Sequence, residues 1–183
     1  DITTSIQSNS SLTTTSGSVT VETRHNQNGS RFVKAKAKAL GGGLYAAGNG
    51  ADATAVNSVD VTTYLSSSVT IIATNDVSIR STVESGETIA ETKGISVSGG
   101  LAVGVSLSTA TAKPELDAYI GDNSSISTSG GKVIVESIDN ANSKATKADA
   151  VASGGGLLAG NGAESIATAA GEVDAYVGRN TTI

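Results

Sequence analysis

The stretches "DAYIGDNSSI" at 117–126 and "DAYVGRNTTI" at 174–183 agree at six of ten positions. A chain that restates itself at a fixed step is built from units that cannot bury their own faces alone. Stacking of copies is therefore the strongest constraint on its fold. The step from Asp117 to Asp174, taken back from Asp117, reaches Asp60 and "DVTTYLSSSVTI"; a slightly longer one then reaches Asp1 and "DITTSIQSNSSL". The chain divides into repeats at 1–59, 60–116 and 117–173, with 174–183 opening a fourth. Landmarks recur inside each unit: "SVTVET" (18–23), "DVSIRS" (76–81) and "KVIVES" (132–137), then "GGL" at 42–44, 99–101 and 155–157. The two extra residues of the first repeat are placed before "SVTVET", where an even insertion keeps inward side chains inward.

Alternation of period two runs through "VKAKAKAL" (33–40), "SLSTATAK" (106–113) and "ADAVAS" (148–153), and no stripe at helical spacing competes with it. Each repeat holds about four such strands, punctuated by Gly-rich and Asn-rich turns. With one Phe, four Tyr, no Trp and no Met, the chain has little with which to fill a thick core. Ala, Val, Ile and Leu suit a thin β layer better.

Two architectures fit. The favoured one is a right-handed parallel β-helix or β-solenoid, in which a repeat makes three coils of roughly 19 residues and rises about 14 Å at the strand spacing of about 4.8 Å. Alternating Ala strands would line a narrow side of the coil and Val/Ile strands a wider one. The alternative is an antiparallel β-sandwich of hairpins closed at the triple-Gly turns.

Composition excludes several chemistries. The absence of Cys removes disulfides, thiolate nucleophiles and Cys-ligated zinc. A net charge of -5 without clustered Lys and Arg disfavours nucleic acid. No apolar run is long enough to span a bilayer, and no initiator Met or leader-like segment opens the chain, which reads as a mature or excised piece.

No motif points to an active site. "GGGLYAAGNGA" (41–51) and "GGGLLAGNGA" (154–163) lack the Lys-Ser/Thr and helix of a phosphate loop, and read as turns between strands. His25 is the sole histidine and sits in polar "RHNQNGS" (24–30), which reads as a solvated loop rather than a triad or metal site. Asp1, Asp60, Asp117 and Asp174 open the repeats; three coils apart they would be about 14 Å from one another, too far for a carboxylate pair, and they read as turn caps. Calcium is the one cofactor left open, although neither an EF-hand loop nor the Gly/Asp nonapeptide is present. Thr-rich patches such as "LTTTS" (12–16) lack the regularity of an ice-binding face. Asn9, Asn28, Asn123 and Asn180 open N-x-S/T sequons, three of them at equivalent places. A row of glycans is one reading. The preferred one is that Asn tolerates left-handed turn geometry.

The stretch "GGGLLAGNGAESIATAAGEVDAYVGRNTTI" (154–183), preceded by "GKVIVES" (131–137), resembles the repeat units of very large bacterial surface adhesins related to filamentous haemagglutinin. The resemblance implies a right-handed parallel β-helix that serves as the stalk of a secreted, cell-surface fibre. Its partners would be neighbouring repeats, other copies of the chain, or a host or cell-surface glycan or protein. It carries over no catalytic residue, and no enzyme is expected. The alternative function is a carbohydrate-binding or polysaccharide-degrading β-helix domain. That reading requires Asp122, Glu172 or other acids to pair in an aromatic-lined cleft near Tyr45, Tyr64, Tyr119 or Tyr176.

Overall fold

The computed structural model describes the chain apart from residues 29–31, 85 and 141–144. Among the described residues the only regular elements are strands, and each full repeat makes five. The first repeat forms β1 (Ile2–Ile6), β2 (Ser11–Thr13), β3 (Val19–His25), β4 (Val33–Gly43) and β5 (Ala46–Asn57). The second forms β6 (Asp60–Leu65), β7 (Thr70–Ala73), β8 (Val77–Val83), β9 (Thr88–Ser98) and β10 (Leu101–Ala112). The third forms β11 (Glu115–Ile120), β12 (Ser125–Thr128), β13 (Val133–Asp139), β14 (Thr146–Gly155) and β15 (Leu158–Ala169); β16 (Glu172–Val177) opens a fourth coil.

Every strand pairs in parallel with its counterpart one repeat away, giving the ladders β1-β6-β11-β16, β2-β7-β12, β3-β8-β13, β4-β9-β14 and β5-β10-β15. The fold is a parallel β-solenoid, as the alternation implied, and the hairpin sandwich is not formed. Its coil, however, is a whole repeat and not a third of one. Leu101 pairs with Leu158 and with Ala46, so equivalent residues are strand neighbours about 4.8 Å apart rather than about 14 Å. The period-two signal identifies strands but not their partners: strands within a repeat face one another across the interior instead of pairing. Nor is the length difference of the first repeat an even insertion before β3. Val19 pairs with Val77 but Val33 with Thr88, so the connection between β3 and β4 is longer than that between β8 and β9 and absorbs most of the difference. As a result Asp60 pairs with Glu115, and Asp117 with Thr62.

Two kinds of interior follow from the alternation. In the wide part of the coil, Leu65, Val69, Ile71, Val77, Ile79, Ile120 and Ile126 form one apolar cluster, and the large members are essentially inaccessible. The long strands β9 and β10 instead fold back on each other as an arm whose inner faces carry small residues, with Ala53, Ala55, Ala90 and Ala110 forming its apolar cluster. The expectation of a narrow Ala side and a wide Val/Ile side holds. The turn at the arm's tip needs glycine: a Cβ on Gly43 would lie 1.9 Å from the Ala46 carbonyl oxygen.

Hydroxyl rungs tie each coil to the next. Thr23 Oγ1 donates to the Thr62 carbonyl at 3.1 Å, Ser81 Oγ to that of Asp117, and Ser137 Oγ to that of Asp174 at 2.6 Å. These bonds join the β3-β8-β13 ladder to the β1-β6-β11-β16 ladder, and those of Thr23 and Ser81 lie inside the body, where an unpaired hydroxyl would be costly. On the outer face, Arg80 forms an ion pair with Glu136 and pairs in strand register with Glu22, giving an acid-base-acid column.

The two interiors respond to opposite changes of volume. Ile79→Ala is expected to lower the unfolding free energy by about 2–5 kcal/mol through a cavity. Ala90→Leu is expected to lower it by about 1–3 kcal/mol through overpacking of the arm. Urea denaturation measures both; an Ala90→Leu protein as stable as the parent would contradict the narrow arm.

Candidate functional site

Strand alternation places Asp60, Thr62 and Tyr64 on the outside of β6, Glu115, Asp117 and Tyr119 on the outside of β11, and Glu172, Asp174 and Tyr176 on the outside of β16. In-register pairing converts these positions into columns. Asp60, Glu115 and Glu172 form one, Thr62, Asp117 and Asp174 the next, and Tyr64, Tyr119 and Tyr176 the third. The tyrosine rings stack with centroids 4.9 Å apart and interplanar angles of 6° and 4°. The spacing is that of the strands themselves, so the sheet sets the stack and the rings follow.

The acidic columns correct the expected separation of the repeat-start aspartates. Asp117 and Asp174 are direct strand neighbours, while Asp60 stands opposite Glu115. Burial raises the Asp117 carboxyl above its ordinary value, and the nearby Asp174, Asp60 and Glu115 raise it further. Burial also raises the phenols of Tyr119 and Tyr176. The Thr62 hydroxyl donates to Asp60 Oδ1 at 3.3 Å.

Chemically this face is a row of carboxylates beside a row of ring edges. Ring faces that would stack on a sugar are covered by the neighbouring rings for Tyr119, and the carboxylates sit on adjacent strands of one sheet. Asp122 lies in the turn after β11, where its Oδ1 accepts from the Arg179 amide at 2.7 Å, while Glu172 opens β16 opposite Glu115. Tyr45 is apart from the other tyrosines, at the arm tip and 83% exposed. Among the described residues no three His, Asp or Glu converge on a point that could hold a metal ion.

The sequon asparagines occupy turns. Asn9, Asn123 and Asn180 have φ of 61°, 57° and 54°, and Ser68 fills the same slot in the second coil with φ 62°. Asn180 Nδ2 donates to Asn123 Oδ1 at 3.3 Å, joining the turns of the last two coils. These asparagines and Asn28 are exposed; the remaining two residues of the Asn28 sequon lie outside the described residues. His25 is not in a loop: it is the last residue of β3, half-buried and paired with Val83. It borders a shallow cavity of about 440 Å³ shared with Asp1, Phe32 and Val56.

Comparison with known proteins finds no family model, curated protein or solved structure that matches the chain. The tyrosine stack is invisible to a fixed step along the sequence. The step that joins Tyr119 to Tyr176, taken back from Tyr119, lands on Thr62 and leaves Tyr64 out of line. Aligning "VTTYL" (61–65) with "LDAYI" (116–120) on their apolar positions brings the tyrosines together.

Two outcomes are expected. Tyr119→Ala removes both stacked pairs and should lower stability by about 1–3 kcal/mol, at about 0.5–1.5 kcal/mol per pair, in urea denaturation. The folded chain holds the Asp117 proton more tightly than the unfolded chain. Its contribution to stability is therefore present at pH below the ordinary carboxylate value and is lost as pH rises through that value to the raised one. Across this window the urea midpoint of Asp117→Asn should fall less than that of the parent; parallel profiles would contradict the column's electrostatics.

Proposed function

We propose that the chain is a structural repeat segment of an extracellular fibre or cell-surface adhesin, a stalk that grows by stacking coils. The observation that supports this most is register: strands of consecutive repeats pair residue for residue, and several outer features continue from coil to coil. The Asn turn column, the tyrosine stack and the hydroxyl rungs all run along the axis.

Support for a place outside the cell comes from the exposed sequon asparagines and the resemblance of the repeats to those of filamentous haemagglutinin-like adhesins.

The test is to extend the chain by further copies of residues 117–173 and measure particle length by electron microscopy. The fibre reading requires about 4.8 Å of added length per copy at constant cross-section. A polysaccharide-degrading domain would instead release reducing ends from a polysaccharide panel and lose that activity in Asp117→Asn and Asp174→Asn. Such turnover would replace the structural reading.

A further inference from the structure

The two broad faces of the arm differ in charge and match in pattern. The outer face of β4, β9 and β14 presents five lysines against Glu91 and Asp149. Glu91 is bridged by Lys34 and Lys36, and Asp149 by Lys147, at 3.3, 2.6 and 2.6 Å. Lys38 and Lys93, paired side by side in the ladder, have no carboxylate within salt-bridge distance among the described residues. The opposite face, made by β5, β10 and β15, carries no basic residue at all; its charges are Asp52 and Glu164, which flank Leu107.

Depth along the arm aligns these rows. Lys93 lies six residues before Gly99 and Leu107 seven after Gly100, so the lysine row and the acidic row are nearly equidistant from the tip, within about one residue or roughly 3 Å. Between each row and the tip both faces are apolar. Val97 and Leu40 are 57% and 68% exposed on one; Leu101, Val103 and Val105 are 48%, 43% and 45% exposed on the other. The apolar residues also form ridges beside glycine floors. Val103 and Val105 stand between Gly48 and Gly50 on one side and Gly160 and Gly162 on the other. On the lysine face, Ile95 and Val97 stand beside Ser153 and Gly155.

We infer that these two faces bind each other between copies of the chain, the acidic face of one arm lying on the basic face of the next. A displacement of one coil along the axis seats each ridge on a floor: Val97 and Ile95 over the neighbour's Gly48 and Gly50, and the neighbour's Val103 and Val105 over Gly155 and Ser153. The same displacement sets the neighbour's Asp52 against Lys93 and its Leu107 against Val151. The contact uses different surfaces on the two partners, so it does not close on itself in a dimer and leads to lateral arrays. It is independent of axial stacking, since it uses the outward side chains of the arm strands and not the strand edges that a further coil would pair with. Charge complementarity of this kind fixes partner and register, while the apolar band supplies burial.

The test is sedimentation of the intact chain over a range of concentration and salt, with variants at exposed positions. Lateral association is expected, weakening as salt rises. Lys93→Glu alone or Asp52→Lys alone should weaken it about tenfold or more, and a mixture of the two variants, or the double variant, should restore it. Val103→Asp should abolish it without changing the circular dichroism spectrum. A chain that stays monomeric at millimolar concentration and low salt would overturn the inference. So would assembly that is indifferent to Lys93→Glu and Asp52→Lys, which would assign the association to the coil ends or another surface.

Discussion

Parallel pairing of each strand with its own counterpart is the constraint on which the rest of this structure depends. At one coil per repeat, a side chain's nearest neighbours along the axis are the equivalent side chains about 4.8 Å above and below. A residue type is then admissible only if it tolerates company of its own kind. Apolar residues do, and fill the interior. Tyrosines stack, turn asparagines share a hydrogen bond, and hydroxyls bond to the carbonyl of the next coil. Charges fit less readily. The β3-β8-β13 ladder alternates their sign at Glu22, Arg80 and Glu136, whereas the β6-β11-β16 ladder keeps one sign, which adds to the upward shift of Asp117.

The same constraint explains the composition. Large apolar side chains occur where the sheets enclose a body, and Ala, Ser and Gly occur where two long strands face each other in the arm. Ser106 and Ser108 in the arm donate to the carbonyls of Val151 and Ala90 at 2.8 and 2.7 Å, so polar small residues serve there as well as alanine. A thin arm exposes two broad faces for little interior. Its outer side chains are therefore a larger share of the molecular surface than those of the body, and the proposed lateral contact draws on them.

Strand character, the parallel solenoid and the contrast between narrow and wide interiors are legible in "VKAKAKAL", "KVIVES" and the step from Asp117 to Asp174. Coil length is not. Alternation reports which face a residue occupies, but it carries no information on whether a strand pairs with the next strand in sequence or with one a whole repeat later. Three coils per repeat misplace Asp60, Asp117 and Asp174 by a factor of three in height and hide the carboxylate and tyrosine columns. Counting from aspartate to aspartate adds a second error at Asp60, where loop length varies and the apolar positions Val61 and Leu116 are the better anchors. The turn role of Asn9, Asn123 and Asn180 is readable because left-handed geometry selects Asn locally, without reference to the partner strand.

One coil per repeat is tested most directly by a cross-link between coils, which the absence of native cysteine makes simple. Thr20 and Ser78 are paired residues on the outer face of β3 and β8. Neighbouring parallel strands bring their Cα atoms to about 4.8 Å, inside the range of roughly 4.4–6.8 Å that a disulfide requires. Thr20→Cys with Ser78→Cys should oxidise to an intramolecular disulfide in the folded chain, while Thr20→Cys with Ile134→Cys, two coils apart, should keep free thiols. Free thiols in the first pair under the same oxidant would contradict the one-coil repeat and, with it, every column described above.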